Sequence, residues 1–94
     1  MSATAEATVR IVNPLGLHAR PAAEFVKLAS RFRADVHVEK DGMEVNGKSI
    51  MGVMTLAAEC GSAIRIRATG PDAEAALAAL CDLVARGFDE AYAS

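Results

Sequence analysis

The sequence predicts an α+β fold, a four-stranded sheet covered on one face by three helices with its other face wet. Three observations carry this. Apolar and polar residues alternate in four short runs, the period of a half-buried strand. Apolar residues recur at helical spacing in two long segments and in one short one. The elements follow one another as β-α-β-β-α-β-α, and every strand has a single apolar face, the pattern of a sheet with helices on one side and water on the other.

Each element has its own justification. In residues 7–12, Ala7, Val9 and Ile11 share one face and Thr8 and Arg10 the other. Asn13-Pro14-Leu15-Gly16 breaks the run with turn residues. A helix starts at about Ala19, because Pro21 is tolerated only in a first turn, where its missing N–H costs nothing. His18 then stands at or beside the N-cap. Ala22, Phe25, Val26, Ala29 and Phe32 form the apolar stripe of this helix, opposite Arg20, Glu24, Lys27 and Arg31. Val36 and Val38 point inward from a strand over 35–40, while Asp35, His37 and Glu39 point out. Asp41-Gly42 signals a hairpin, and Met43 to Asn46 return. Ser49 is a plausible N-cap for a short helix carrying Ile50, Met51 and Met54. Ile64, Ile66 and Ala68 face inward from the strand over 63–69. Gly70-Pro71-Asp72 opens the last helix, with Ala73, Leu77, Leu80, Val84 and Phe88 as its stripe. Asp72 and Glu74 fall in its first turn, where the helix dipole favours carboxylates.

Composition removes several classes of function. Ninety-four residues imply one domain, residues 1–94, with a radius of gyration of roughly 12 Å. That leaves no room for a two-domain enzyme around a cleft. Hydrophobic residues make up 52% of the chain, too many for disorder. Aromatic residues make up 4%, without Trp, so no stacking platform for single-stranded nucleic acid is expected. The net charge is −2 and the basic residues are scattered singly, which argues against a DNA or RNA partner. The longest apolar stretch, Ala75 to Cys81, falls far short of the ~20 residues that span a bilayer. The first residues lack the basic and apolar regions of a signal peptide. Cys60 and Cys81 form neither a disulfide framework nor a metal motif. They read as reduced packing cysteines in a cytoplasmic protein that needs no metal or cofactor.

The chemistry is concentrated in Gly16-Leu17-His18-Ala19-Arg20-Pro21. A helix start exposes unpaired N–H groups and the positive end of a dipole, so it attracts anions. Pro21 removes one donor there, and the N–H groups of Ala19 and Arg20 remain. Imidazole is a nucleophile able to form covalent intermediates. The guanidinium of Arg20 presents a planar fork matched to phosphate oxygens. Gly16 lets the loop turn sharply enough to lay the ring over the helix end. A nucleophile, an anion cradle and a guanidinium within three residues suggest a group that accepts a phosphoryl. A lone His before a helix is ordinarily a surface or capping residue, and Arg20 alone would be part of a solvated stripe. The combination moves the reading away from that. His37, in the polar phase of a strand, keeps the ordinary interpretation.

Together with Gly47-Lys48-Ser49-Ile50-Met51-Gly52, this segment resembles the HPr phosphocarrier family of the bacterial phosphotransferase system, over essentially the whole chain. The resemblance implies an open-faced β-sandwich with a four-stranded antiparallel sheet and three helices. It implies that His18 takes a phosphoryl group on Nδ1 from phosphorylated enzyme I and passes it to enzyme II A-domains for sugar uptake, with Arg20 steadying the group. Ser49 matches the serine that HPr kinase/phosphorylase modifies in many members. Some relatives carry Ser or Asn three residues before the histidine, where this chain has Leu15. A cytoplasmic monomer that acts as a carrier, not an enzyme, is expected. Leu17, Ile50, Met51 and Met54 are candidates for its docking patch, flexible Met suiting a surface that meets several partners. The alternative is a regulatory module, including a nitrogen-branch one, that docks onto a transcriptional regulator or an enzyme according to its phosphorylation. A metal-carrying ferredoxin-like domain fits poorly without a Cys-x-x-Cys.

Overall fold

The computed structural model describes residues 3–90. Its elements are β1 (Ala3–Arg10), α1 (Ala19–Ala29), β2 (Asp35–Lys40), β3 (Met43–Asn46), α2 (Ile50–Thr55), β4 (Ala63–Gly70) and α3 (Ala73–Ala85), followed by one 3₁₀ turn at Gly87–Asp89. The strands form one antiparallel sheet in the order β1-β4-β2-β3. This is the expected α+β architecture. Among the described residues, no helix is long and apolar enough to cross a membrane.

The inner face is set by the alternation. Val36, Val38, Ile64, Ile66 and Ala68 are buried beneath the helices, with Phe25 of α1 and Leu80 and Val84 of α3. α3 packs over β1 and β4, and α1 packs against both α2 and α3. Phe25 is fully buried; its truncation to Ala would cost about 3–5 kcal/mol. On the outer face, Arg65 pairs with Glu39 and lies 3.8 Å from Glu6, and Arg67 meets Glu44 at 3.0 Å. The wet face is thus laced by cross-strand ion pairs, each worth little while exposed. At the β2–β3 hairpin, Asp41 and Gly42 both have positive φ, the backbone that a tight two-residue turn requires.

The structure corrects the sequence reading at several points. β1 begins at Ala3 and ends at Arg10, so it starts earlier than expected and excludes Ile11 and Val12. Its length is dictated by β4, with which it pairs from Ala3↔Gly70 to Arg10↔Ala63. α1 stops at Ala29, leaving Phe32 half-buried beyond the helix. α3 buries Ala73, Ala76, Leu80, Leu83 and Val84, whereas Leu77 is only partly covered. Phe88 is buried but lies past the helix end, with φ +59°. The carboxylate of Asp72 does not cap α3. It accepts hydrogen bonds from the N–H groups of Arg33 (2.9 Å) and Ala34 (2.8 Å). These bonds, that from Arg33 foremost, hold the carboxyl below its ordinary range. Cys60 is exposed, not packed; Cys81 is half-buried, and burial pushes its thiol up.

Candidate functional site

The loop between β1 and α1 is built around one glycine. Gly16 has φ +65°, and a Cβ there would lie 2.2 Å from the carbonyl oxygen of Ala58. Only glycine tolerates both the conformation and the approach. The Gly16 N–H donates to the Asn13 carbonyl at 3.1 Å, closing the turn, and the next N–H, of Leu17, donates to the Ala58 carbonyl at 2.9 Å. That bond sends the Leu17 side chain inward, where it is 4% exposed. Leu17 is therefore a core residue with almost no surface for a partner, contrary to its place among the docking candidates.

His18 is the N-cap of α1, with extended backbone (φ −75°, ψ −175°). Its side chain makes no capping bond, which frees the ring to point elsewhere. Nε2 lies 3.0 Å from Oε2 of Glu90. A carboxylate only accepts, so a neutral ring donates from Nε2–H and keeps its lone pair on Nδ1. The ring side chain is 35% exposed and open to solvent. The first intrahelical bond runs from the Ala22 N–H to the His18 carbonyl at 3.0 Å, and Pro21 has no N–H. The donors of Ala19 and Arg20 thus have no acceptor within the helix. Arg20 is exposed on the first turn. It lines a recess of about 220 Å³ with Pro21, Glu24, Phe88, Asp89 and Glu90.

Sequence reading missed Glu90. It sits past the last helix, and three successive residues of left-handed backbone, Gly87, Phe88 and Asp89, bring it back to the site. Phe88 anchors this turn in the core, and Arg86 ties it through a 3.0 Å bond to Asp89. Gly87 was the one local signal of a reversal; nothing in the sequence tied its consequence to His18.

Ser49 is the N-cap of α2, its Oγ accepting from the Gly52 N–H at 3.1 Å. Behind it, Ile50 (43%), Met51 (75%) and Met54 (39%) are exposed, and Val53 is the residue that α2 buries. α2 packs on α1, and Ala58, just beyond α2, pairs with Leu17. The helix with the exposed methionines therefore neighbours the His18 loop. Leu15 (75%) and Val12, both exposed, add apolar surface from that loop. His37 stands apart on the open face of the sheet, opposite Arg67 and Asn46. Among the described residues, no cluster of three His, Cys, Asp or Glu side chains is placed to hold a metal ion.

The known proteins that this chain resembles agree with one another. The family model for the PTS HPr component phosphorylation site matches residues 5–86. The phosphocarrier protein HPr of Treponema pallidum is 49% identical over 83 residues, covering 88% of this chain and 94% of that protein. The HPr-like protein Crh of Bacillus subtilis is 52% identical over 69 residues, 73% of this chain and 81% of its own. The crystal structure of HPr-C-His from Thermoanaerobacter tengcongensis superimposes with a TM-score of 0.89 at 48% identity, covering 93% of this chain and 98% of that one. With the family model matching most of the chain and relatives close to half identical over most of their own length, the chain belongs to the HPr family of phosphocarrier proteins.

Proposed function

We propose that this chain is a cytoplasmic covalent phosphoryl carrier that receives its cargo on Nδ1 of His18 from phosphorylated enzyme I and delivers it to enzyme II A-domains for sugar uptake. The observation that carries the reading is the orientation of the ring: Nε2 is engaged by Glu90 at 3.0 Å, which leaves the Nδ1 lone pair as the nucleophile. In the transfer, that lone pair forms the N–P bond while the bond from phosphorus to the donor breaks, its electron pair staying with the donor. The ring gains positive charge as the bond forms, and the Glu90 carboxylate on Nε2–H stabilises it. The N–H groups of Ala19 and Arg20 and the positive end of the α1 dipole face the incoming anion. The Arg20 guanidinium neutralises part of its charge. Delivery runs the same steps in reverse with a new acceptor.

The docking surface of this reading combines Ile50, Met51 and Met54 with Val12 and Leu15, around the histidine. Ser49 is its regulatory position. A phosphate on its Oγ would meet the first N–H groups of α2 and leave the fold intact. It would also place a dianion beside apolar surface that must be desolvated on docking. The test is incubation with enzyme I and phosphoenolpyruvate. An acid-labile, base-stable phosphate on His18 supports the reading; none, or one elsewhere, overturns it. Identity of 52% to the HPr-like protein Crh favours one second reading, a module that docks onto a transcriptional regulator or an enzyme according to its phosphorylation. Transfer to an enzyme II A-domain separates the two.

A further inference from the structure

We infer that Asn13 is a positioning residue for phosphoryl transfer, acting on His18 through Glu90. The kinetic part of this inference rests on the carrier reading above. Asn13 is fully buried, the one polar side chain among the described residues that is. Its Nδ2 donates to the Gly16 carbonyl at 2.8 Å and to Oε1 of Glu90 at 2.9 Å. Oε2 of the same carboxylate meets Nε2 of His18 at 3.0 Å. The amide orientation follows from chemistry: a carbonyl and a carboxylate can only accept, so the NH₂ group must face both. Both its hydrogens are then used. Oδ1 is left buried with no hydrogen-bond partner among the described residues.

The geometry gives Asn13 two tasks. Its bond to Gly16 sets the turn that places His18 at the head of α1. Its bond to Glu90 fixes the carboxylate of a side chain 77 positions away, at the end of a left-handed turn. Without it, one oxygen of Glu90 loses its partner, the carboxylate is free to rotate toward water, and the ring loses the acceptor that selects its tautomer.

The experiment is a cycle of Asn13→Ala, Glu90→Ala and the double variant. It reads the tautomer of His18 from ring ¹⁵N shifts in the unphosphorylated protein, and the transfer rate from enzyme I. The inference expects Nε2–H to dominate in the wild type and to give way to a mixture in Asn13→Ala. It expects a roughly ten-fold slower transfer in that variant, about what one hydrogen bond to a charged group supports. In the Glu90→Ala background, Asn13→Ala should add a clearly smaller loss, the part that its bond to Gly16 carries. An unchanged tautomer in Asn13→Ala, or an equal loss with and without Glu90, would overturn it. Should Asn13→Ala fail to fold, the Asn13 side-chain amide resonances decide the matter in Glu90→Ala alone. One of them must move, and two unchanged resonances refute the link. The tautomer does not depend on enzyme I. A wild type that takes no phosphoryl would therefore remove the carrier reading and leave the positioning question answered separately.

Discussion

Glu90 holds Nε2 of His18 at 3.0 Å, which in the carrier reading proposed above leaves Nδ1 as the nucleophile, and its side chain is the most informative single target. A hydrogen bond to a charged partner contributes about 1.5 kcal/mol. Glu90→Ala should therefore slow transfer from enzyme I about ten-fold without loss of fold, as measured by quenched-flow transfer and melting curves. A rate equal to wild type would remove Glu90 from the mechanism. Arg20 is exposed and makes no ion pair among the described residues. Arg20→Ala should slow transfer while changing stability by less than ~0.5 kcal/mol. Arg20→Lys should be intermediate, keeping the charge but not the fork. Identical rates for the three would make Arg20 a member of a solvated stripe. The cysteines divide by environment. The thiolate is the reactive form, and burial pushes the Cys81 thiol up while Cys60 is exposed. Cys60 should be alkylated well before Cys81 in the folded protein, and equal rates would contradict the placement of Cys81. At this scale the placement of His18 at the head of α1 and of Arg20 on its exposed first turn was legible, because the proline that starts the helix is contiguous with them. It was silent on Glu90, whose 3.0 Å contact with His18 spans 72 positions.

Among the elements, α2 carries the clearest separation of stability from function. Ser49 Oγ caps the helix through the Gly52 N–H. Ser49→Ala should cost about 1 kcal/mol, while Ser49→Asp keeps a good capping group and should melt near wild type. Transfer should show the opposite order, with Ser49→Asp slower than Ser49→Ala because it sets a charge beside Ile50 and Met54. Equal transfer rates would leave Ser49 as a helix cap alone. The other end of α2 is strained: Ala57 follows the C-cap with φ +50°, where a Cβ costs roughly 1 kcal/mol. Ala57→Gly should stabilise the protein by up to about that amount, and a lower melting temperature would contradict this. Ser49 was readable from its capping chemistry, whereas this turn had no glycine to announce it. Leu17 shows the same limit. Its burial follows from a bond to Ala58, a partner that periodicity does not reveal.

Across the molecule, the sheet and the helices are held by a few contacts distant in sequence. Asp72, at the start of α3, gathers the N–H groups of Arg33 and Ala34 ahead of β2. Its carboxyl is held below the ordinary value, so its charge-dependent contribution is complete above about pH 4 and is lost as pH falls through the lowered value. The melting-temperature gap between wild type and Asp72→Ala should be constant from about pH 7 to pH 5 and close in stronger acid; a gap independent of pH would contradict it. The hairpin of β2 and β3, β4 and the start of α1 were legible because alternation, Asp-Gly and Pro21 act locally. The reach of β1 was not, since Ala3–Glu6 lacks bulky alternation and is drawn into the sheet by β4. The histidine at the head of α1 has a side chain that takes no part in capping its helix. His18→Ala should consequently melt like wild type. The direct test compares that variant with wild type after treatment with enzyme I and phosphoenolpyruvate, locating the phosphoryl by ³¹P and ring ¹⁵N resonances. The account predicts one phosphoryl per wild-type chain, on Nδ1 of His18, and none on the variant. A phosphoryl on His37, on a hydroxyl, or on His18→Ala itself would contradict it.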